Sequence, residues 1–386
     1  MLNSLLNPQR LVGRETELSK IHQILTKDDD FLLVGAPGIG RRTLIRAAAQ
    51  KVGARVLEID CLRTTDANRF LRLLADSLLE VFTSPEELAL IQQWSNQHPF
   101  VLEQNSHRPR LVWHGVSGKE WQLFQILLAL PQLLAEWLDC RVVIVFLNFP
   151  HIRSWDRKGK WEDYLRQEIQ QQSRVSYALV ATVVEAWAQQ SDLHIISLPP
   201  LNDRVMQDWI VPAMRTEGLL FDPETQALNL FLSIVQGHTG DAISLARRIW
   251  LDRHVFLYSQ TDWGTSSKLE TIDAGLAVTG NAVEDVIAAH HVHRSTLALI
   301  EDLSTTFESL ILLLPPSQVR VLESLALDPT DKPQAREYIQ KHQLTRGGGL
   351  QGALASLEQK GLLYGPQHGY RVALPFLAFW LKQRLS

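Results

Sequence analysis

Residues 31 to 49 constrain this chain more than any other stretch. Phe31-Leu32-Leu33-Val34 has the unbroken apolar character of a buried strand, Gly35-Ala36-Pro37-Gly38-Ile39-Gly40 turns tightly, and Arg41-Arg42-Thr43-Leu44-Ile45-Arg46-Ala47-Ala48-Ala49 opens a helix. A strand that feeds a helix through a glycine-rich turn predicts an α/β fold built on a parallel sheet. The backbone N–H groups of Gly38 to Arg41, with the positive end of the helix dipole, predict a cradle for phosphate. The side chains depart from the usual pattern of Lys and then Ser or Thr directly after the second Gly. Arg41 and Arg42 stand there, and the first hydroxyl comes one position late at Thr43. Lys in that seat is a compact charge on the outer phosphates and the hydroxyl binds magnesium. Arg41, a longer planar fork, either holds phosphate in an altered geometry or fills the pocket itself, and Arg42 has no acceptor for a metal.

A chain of 386 residues has room for two or three domains. With 45% hydrophobic and 21% charged residues, it has the composition of a soluble globular protein. The net charge of -4 argues against a protein coated in nucleic-acid-binding basic residues. No apolar run reaches about 18 residues, which predicts no membrane span. Met1 to Arg10 lacks a signal-peptide layout, so a cytoplasmic location is expected. Cys61 and Cys140 are too far apart and too few for a disulfide framework or a zinc site, and the cluster His290, His291, His293 reads as a solvated helix end or loop.

Strands and helices alternate after the glycine loop. Val56–Ile59 reads as a strand ending at Asp60, and 66–82 as a helix. Residues 84–120 interrupt the rhythm as an insertion, whose apolar run Pro99-Phe100-Val101-Leu102 is expected to present an interaction surface. A long helix, Trp121 to Leu138, is expected to kink or pause at Pro131. Val142–Leu147, the most apolar strand, is expected at the sheet centre, with further strands at 177–182 and 194–197. The domain boundaries expected are a core over 1–200, a helical lid over 201–252, a linker and connecting helix over 253–314, and a terminal domain over 315–386. That last segment reads as three helices and a hairpin, the pattern of a winged helix. Core packing is expected for Trp121 and Trp137, with Trp113 the better candidate for a contact.

With these motifs in order, the chain resembles the P-loop ATPases of the AAA+ and STAND type, especially the archaeal-ATPase and replication-initiator-like branch with a C-terminal winged helix. The resemblance implies a P-loop NTPase-like parallel sheet with a helical lid, followed by an α+β winged-helix domain. It also implies that Leu11-Val12-Gly13-Arg14-Glu15-Thr16-Glu17-Leu18 is the entry motif, placing Gly13 and Arg14 beside the adenine, and that Gly35, Gly38 and Gly40 shape the phosphate loop. The family ends its central strand in Asp-Glu, for magnesium and for activating water, but here the strand runs into Leu147-Asn148-Phe149-Pro150. Asn148 cannot neutralise magnesium or take a proton from water, and losing a positioned general base costs on the order of 10² to 10⁴ in rate. Thr182 falls where a polar residue senses the outer phosphate. Gly240-Asp241-Ala242 lacks the sensor Arg that follows it closely in the family, and Arg247 lies one turn on. The cofactor expected is ATP or ADP, weakly held, with magnesium unsupported and hydrolysis very slow or absent.

From Ser317 onward nine basic residues outnumber five acidic ones, an asymmetry that favours a polyanion nearby. The recognition-helix segment 350–360 offers few groups for reading bases, so Arg346, Gln351, Lys360 and Arg371 are expected to dock DNA or a protein partner without sequence readout. The leading expectation is a catalytically degenerate regulatory or scaffold protein with a protein partner and a capacity to oligomerise. The alternatives are an active ATPase using Arg41 and Thr43, and a DNA-binding regulator.

Overall fold

The structure, a computed structural model, describes residues 11–104, 108–113, 118–168, 173–261, 285–345 and 347–385. By its contacts the chain divides into two compact units, one comprising Arg14–Gly35 with Arg41–Leu198, the other Met1–Gly13, Ala36–Gly40 and Pro199–Ser386.

The first unit is an α/β layer structure. Its elements run α1 (Glu15–Thr26), β1 (Phe31–Val34), α2 (Arg41–Lys51), β2 (Arg55–Asp60), α3 (Ala67–Val81), α4 (Pro85–Ser95), β3 (Val101–Glu103), β4 (Arg110–Val112), α5 (Glu120–Trp137), β5 (Val142–Leu147), α6 (Lys160–Glu168), β6 (Val175–Ala181), α7 (Ala186–Gln189) and β7 (His194–Ser197). Five strands form a parallel sheet in the order β2-β5-β6-β1-β7. The expectation that Val142–Leu147 is central is corrected: β6, buried along its whole length, takes the middle place and β5 lies beside it. Continuous apolar character reports cover on both faces, which every interior strand shares, so it could not rank the two.

Around Phe70 a cluster of rings fills one side of the sheet, stacked on Phe146 and edge-on to Phe124 and Trp161. Trp121 joins it against Trp161 and Tyr164. Helix α5 runs through Pro131 without the pause that proline allowed. The insertion is a helix and a hairpin: Ser84 and Glu87 form a reciprocal cap at the start of α4, and β3 pairs antiparallel with β4. Within it Phe100 and Leu102 turn inward and Val101 outward, so the expected apolar surface is an alternating strand. Trp113 is half-buried, 5.7 Å from the Phe100 ring, whereas Trp137 is 46% exposed, where core packing was expected.

The second unit is mainly helical: α8 (Asp203–Thr216), β8 (Leu219–Phe221), α9 (Ala227–Val235), α10 (Thr239–Thr261), β9 (Asp285–Ile287), α11 (Ala289–Leu312), α12 (Pro316–Leu327), α13 (Arg336–Lys341), α14 (Gly348–Gln359), β10 (Leu363–Tyr364), β11 (Arg371–Val372) and α15 (Pro375–Leu385). Asn202 caps α8 by accepting from the Val205 N–H. The segment expected as a linker over 253–314 holds the rest of α10, strand β9 parallel to β8, and a 24-residue α11. Helices α12, α13 and α14 with the antiparallel pair β10 and β11 make the winged helix, closed by α15. One apolar core joins the lid to the winged helix, from Met206, Phe231 and Leu245 to Leu322, Leu357 and Leu377. Shared burial of this kind fixes the two as one body. Among the described residues no helix is long and apolar enough to cross a membrane.

Candidate functional site

In the α/β unit, β1 delivers Gly35, whose N–H donates to the Ala181 carbonyl at 3.1 Å and so ties the start of the loop to the end of β6. Arg41 opens α2 and turns back. One guanidinium nitrogen donates to the Gly35 carbonyl at 3.0 Å and to the Ala181 carbonyl at 3.1 Å. Burial pushes its pKa down to about 10, against an opposing pull from the Asp60 carboxylate. Of the two roles open to it, Arg41 takes the second and occupies the interior of its own turn.

Arg42 leaves the loop altogether. Its Nε donates to Glu58 at 2.7 Å, and Arg46, one turn along α2, donates to both oxygens of the same carboxylate at 2.6 and 2.7 Å. Burial alone would raise the Glu58 pKa, but hydrogen bonds and charge from the two arginines outweigh it and hold the group below the usual carboxylate range. The Glu58 bond in turn raises Arg42. Thr43 is half-buried on the first turn of α2.

Beyond β5 the chain turns through Asn148 in the left-handed region at φ 53° and ψ 42°, and Phe149 is buried behind it. Because β2 lies parallel to β5 with Asp60 opposite Leu147, the Asp60 carboxylate reaches the same sheet edge. The Asn148 Nδ2 donates to Asp60 Oδ1 at 2.9 Å, and the same oxygen accepts from the Leu62 N–H at 3.1 Å. The edge thus carries a carboxylate after all, one strand over from the expected place. Its oxygen already accepts two bonds and the positive charge of Arg41 and Arg42 bears on it, a donor set that does not fit magnesium, which needs several free oxygens in octahedral array. Among the described residues no three His, Cys, Asp or Glu gather as metal ligands. Thr182 follows β6 directly and is half-buried. Arg14 is 3% exposed and pairs with Glu17 at the start of α1.

The second unit holds the tip of the loop and the lid. Gly38 and Gly40 sit at φ 82° and 92°, the left-handed conformations that only glycine adopts without strain. His238, in the turn before α10, lies against Gly38, where an added Cβ would come within 2.5 Å of the ring. Its Nε2 donates to the Pro37 carbonyl at 2.7 Å, while the Thr239 hydroxyl and the Gly240 N–H both donate to the Gly38 carbonyl at 3.0 Å. Gly13 packs on α8, with Val205 and Leu201 filling the space a side chain would need. Arg247 lies on the exposed face of α10.

On the winged helix Gln351 is exposed on α14. Lys360 donates to the Gln318 side chain at 2.6 Å, and the Arg371 guanidinium lies over the Tyr364 ring at 5.2 Å. Arg346 lies outside the described residues. The structure therefore brings Gly35, Arg41, Asn148 and the strand end before Thr182 to one sheet edge. It sets Arg42 aside with Glu58 and engages Lys360 and Arg371 within their own domain. Sequence reasoning missed Glu58, Asp60 and His238. Glu58 was hidden in the packing of α2 on β2 and Asp60 in cross-strand register, whereas the His238 to Asp241 spacing of three was readable as a single helical turn.

A family described as "Probable winged helix domain" matches residues 305–383. Among curated proteins none matches the chain. Of the solved structures, the Walker-type ATPase of Pyrococcus abyssi is similar at a TM-score of 0.63 and 16% identity, over 99% of this chain and 100% of that one. The ORC1 protein of Aeropyrum pernix, solved in complex with DNA, gives 0.49 and 14% over 99% of this chain and 97% of that one. The chain has a P-loop NTPase-like fold: a parallel sheet with covering helices, followed by a C-terminal winged helix.

Proposed function

We propose that this protein is a catalytically degenerate AAA+/STAND-like regulator or scaffold. Its glycine loop binds ATP or ADP weakly through backbone N–H groups and without magnesium, and its winged helix docks DNA or a protein partner. The observation that carries this reading is the inward fold of Arg41 onto the Gly35 and Ala181 carbonyls, because a cation spent on its own turn is not offered to an outer phosphate. Asn148 in place of an acid supports it, since an amide neither neutralises a divalent ion nor accepts a proton from water. The core over 1–200 and lid over 201–252 form the nucleotide-responsive part, and 315–386 forms the docking part.

Calorimetric titration of the whole chain with ATP and ADP, with and without magnesium, tests the reading. Expected are weak isotherms that magnesium does not sharpen, and phosphate release at background. Tight magnesium-dependent binding with turnover abolished by Arg41→Ala would overturn it. Arg41→Lys with Asn148→Asp should gain magnesium dependence, because the pair restores a reaching cation and an acid at the end of β5. Salt-sensitive DNA binding by the same preparation separates a DNA partner from a protein one for the winged helix.

A further inference from the structure

The helical unit contains an unbroken chain of polar contacts from the glycine loop to the last helix. His238 Nε2 donates to the Pro37 carbonyl, His238 Nδ1 lies 3.0 Å from Asp241 Oδ1, and Asp241 Oδ2 accepts from the Phe376 N–H at 3.2 Å. Asp241 thereby occupies two helix N-termini at once, the first turn of its own α10 and the first turn of α15, where a carboxylate is favoured by the unpaired amides and the helix dipole. His238 is 3% exposed, so neither water nor salt competes for it.

We propose that Pro37, His238, Asp241 and the first turn of α15 form a latch that sets the glycine loop and the winged helix together, with a proton on His238 holding it shut. The chemistry follows from the two faces of the ring. A carbonyl can only accept, so the Pro37 contact fixes a proton on Nε2. In the neutral ring Nδ1 accepts from the Asp241 N–H at 3.1 Å. In the charged ring it donates to the Asp241 carboxylate, which joins loop and α15 through one ion pair. Asp241 is the ionisable group that meets the ring. The loop residues 36–40 and the α15 start, 374–376, contribute none. Burial favours the neutral ring, but the bond to Asp241, its charge and the Pro37 carbonyl together outweigh burial and raise the His238 pKa above its ordinary value. Because the folded value is raised, the latch is fully charged below about pH 6.5, the ordinary histidine value, and its added strength is lost as pH rises through the folded value.

Amide hydrogen exchange on the whole chain from pH 5 to 9, corrected for base catalysis, tests this. Protection at Phe376 to Ala378 and at Gly38 to Gly40 should fall together above about pH 6.5 in the wild type. In His238→Gln, which keeps an N–H donor but does not titrate, both traces should be flat. Asp241→Ala should speed exchange at both places by about tenfold. A wild-type pH profile that survives in His238→Gln, or a loop and helix that respond independently, would overturn the latch. Saturating ADP should also shift protection at α15. That arm rests on the nucleotide reading above, and a chain that binds no ADP sinks that reading while the pH arm still decides the latch.

Discussion

The sheet edge of the α/β unit and the lid turn of the helical unit hold polar groups in opposite ways. At the sheet edge, Arg41, Arg42 and Arg46 meet carbonyls and Glu58, and Asn148 meets Asp60. Arginine keeps its charge across the working range of pH, so these contacts are permanent. At the lid turn the central group is His238, whose charge changes near neutrality. The contrast teaches that a group of fixed charge anchors one set of backbone carbonyls and a group that titrates anchors another, each within its own unit.

The largest expected effect would break the turn that carries the titrating group. Gly237 sits at φ 75°, and a Cβ there would stand 2.0 Å from the Leu201 carbonyl oxygen, a backbone atom with nowhere to go. Gly237→Ala should lower stability by about 3 kcal/mol or more in urea unfolding, through strain and overpacking together. A change below about 1 kcal/mol would show that the lid turn yields. Arg41→Ala tests the group of fixed charge. It strips donors from two strand-end carbonyls and should cost about 2 kcal/mol by the same measurement, consistent with hydrogen bonds made by a charged donor. An unchanged midpoint would mean that the guanidinium is not anchored.

Asp30 sharpens the comparison, because the α/β unit has a titratable group of its own at the opposite end of β1. Burial pushes its pKa up to about 7, partly offset by the bond it accepts from the Tyr177 N–H at 2.6 Å. A raised carboxyl destabilises the fold as pH climbs from about 4, the ordinary Asp value, towards 7, since the folded state keeps the proton longer. Asp30→Asn should therefore match the wild type near pH 4 and exceed it by at least about 1 kcal/mol at pH 8, the worth of a single pKa unit, in paired unfolding curves. Curves that stay parallel would remove the group from the account. The smallest effect is reserved for Arg42→Ala. Arg42 is largely exposed and Arg46 remains on Glu58, so the loss should be below about 0.5 kcal/mol.

Much of the frame was legible because it follows from local rules. The run from Phe31 to Ala49 specified strand, turn and helix. The apolar blocks at 142–147 and 194–197 became β5 and β7, and the helix–helix–helix–hairpin order after Ser317 became the winged helix. The site was legible only where one segment decides it. Asn148 was readable as a missing acid, but its bond to Asp60 depends on the register of β2 against β5, which no window of sequence contains. The expected sensor position lies downstream of Asp241 as an arginine, whereas the group that meets Asp241, His238, precedes it. Trp137 shows the same limit: a helix rich in leucine on every side does not announce which ring faces water.

The left-handed seat of Asn148 has a consequence for what else the turn could hold. Asparagine and aspartate fill that backbone conformation with similar ease. Exchanging one for the other replaces a terminal NH₂ by an oxygen, which asks nothing of the backbone but turns the bond to Asp60 into a meeting of two carboxylates. The backbone of this turn would therefore hold an acid as readily as the amide, and a single side-chain atom separates the present polar bond from a pair of carboxylates, one of which would have to keep a proton or find a cation.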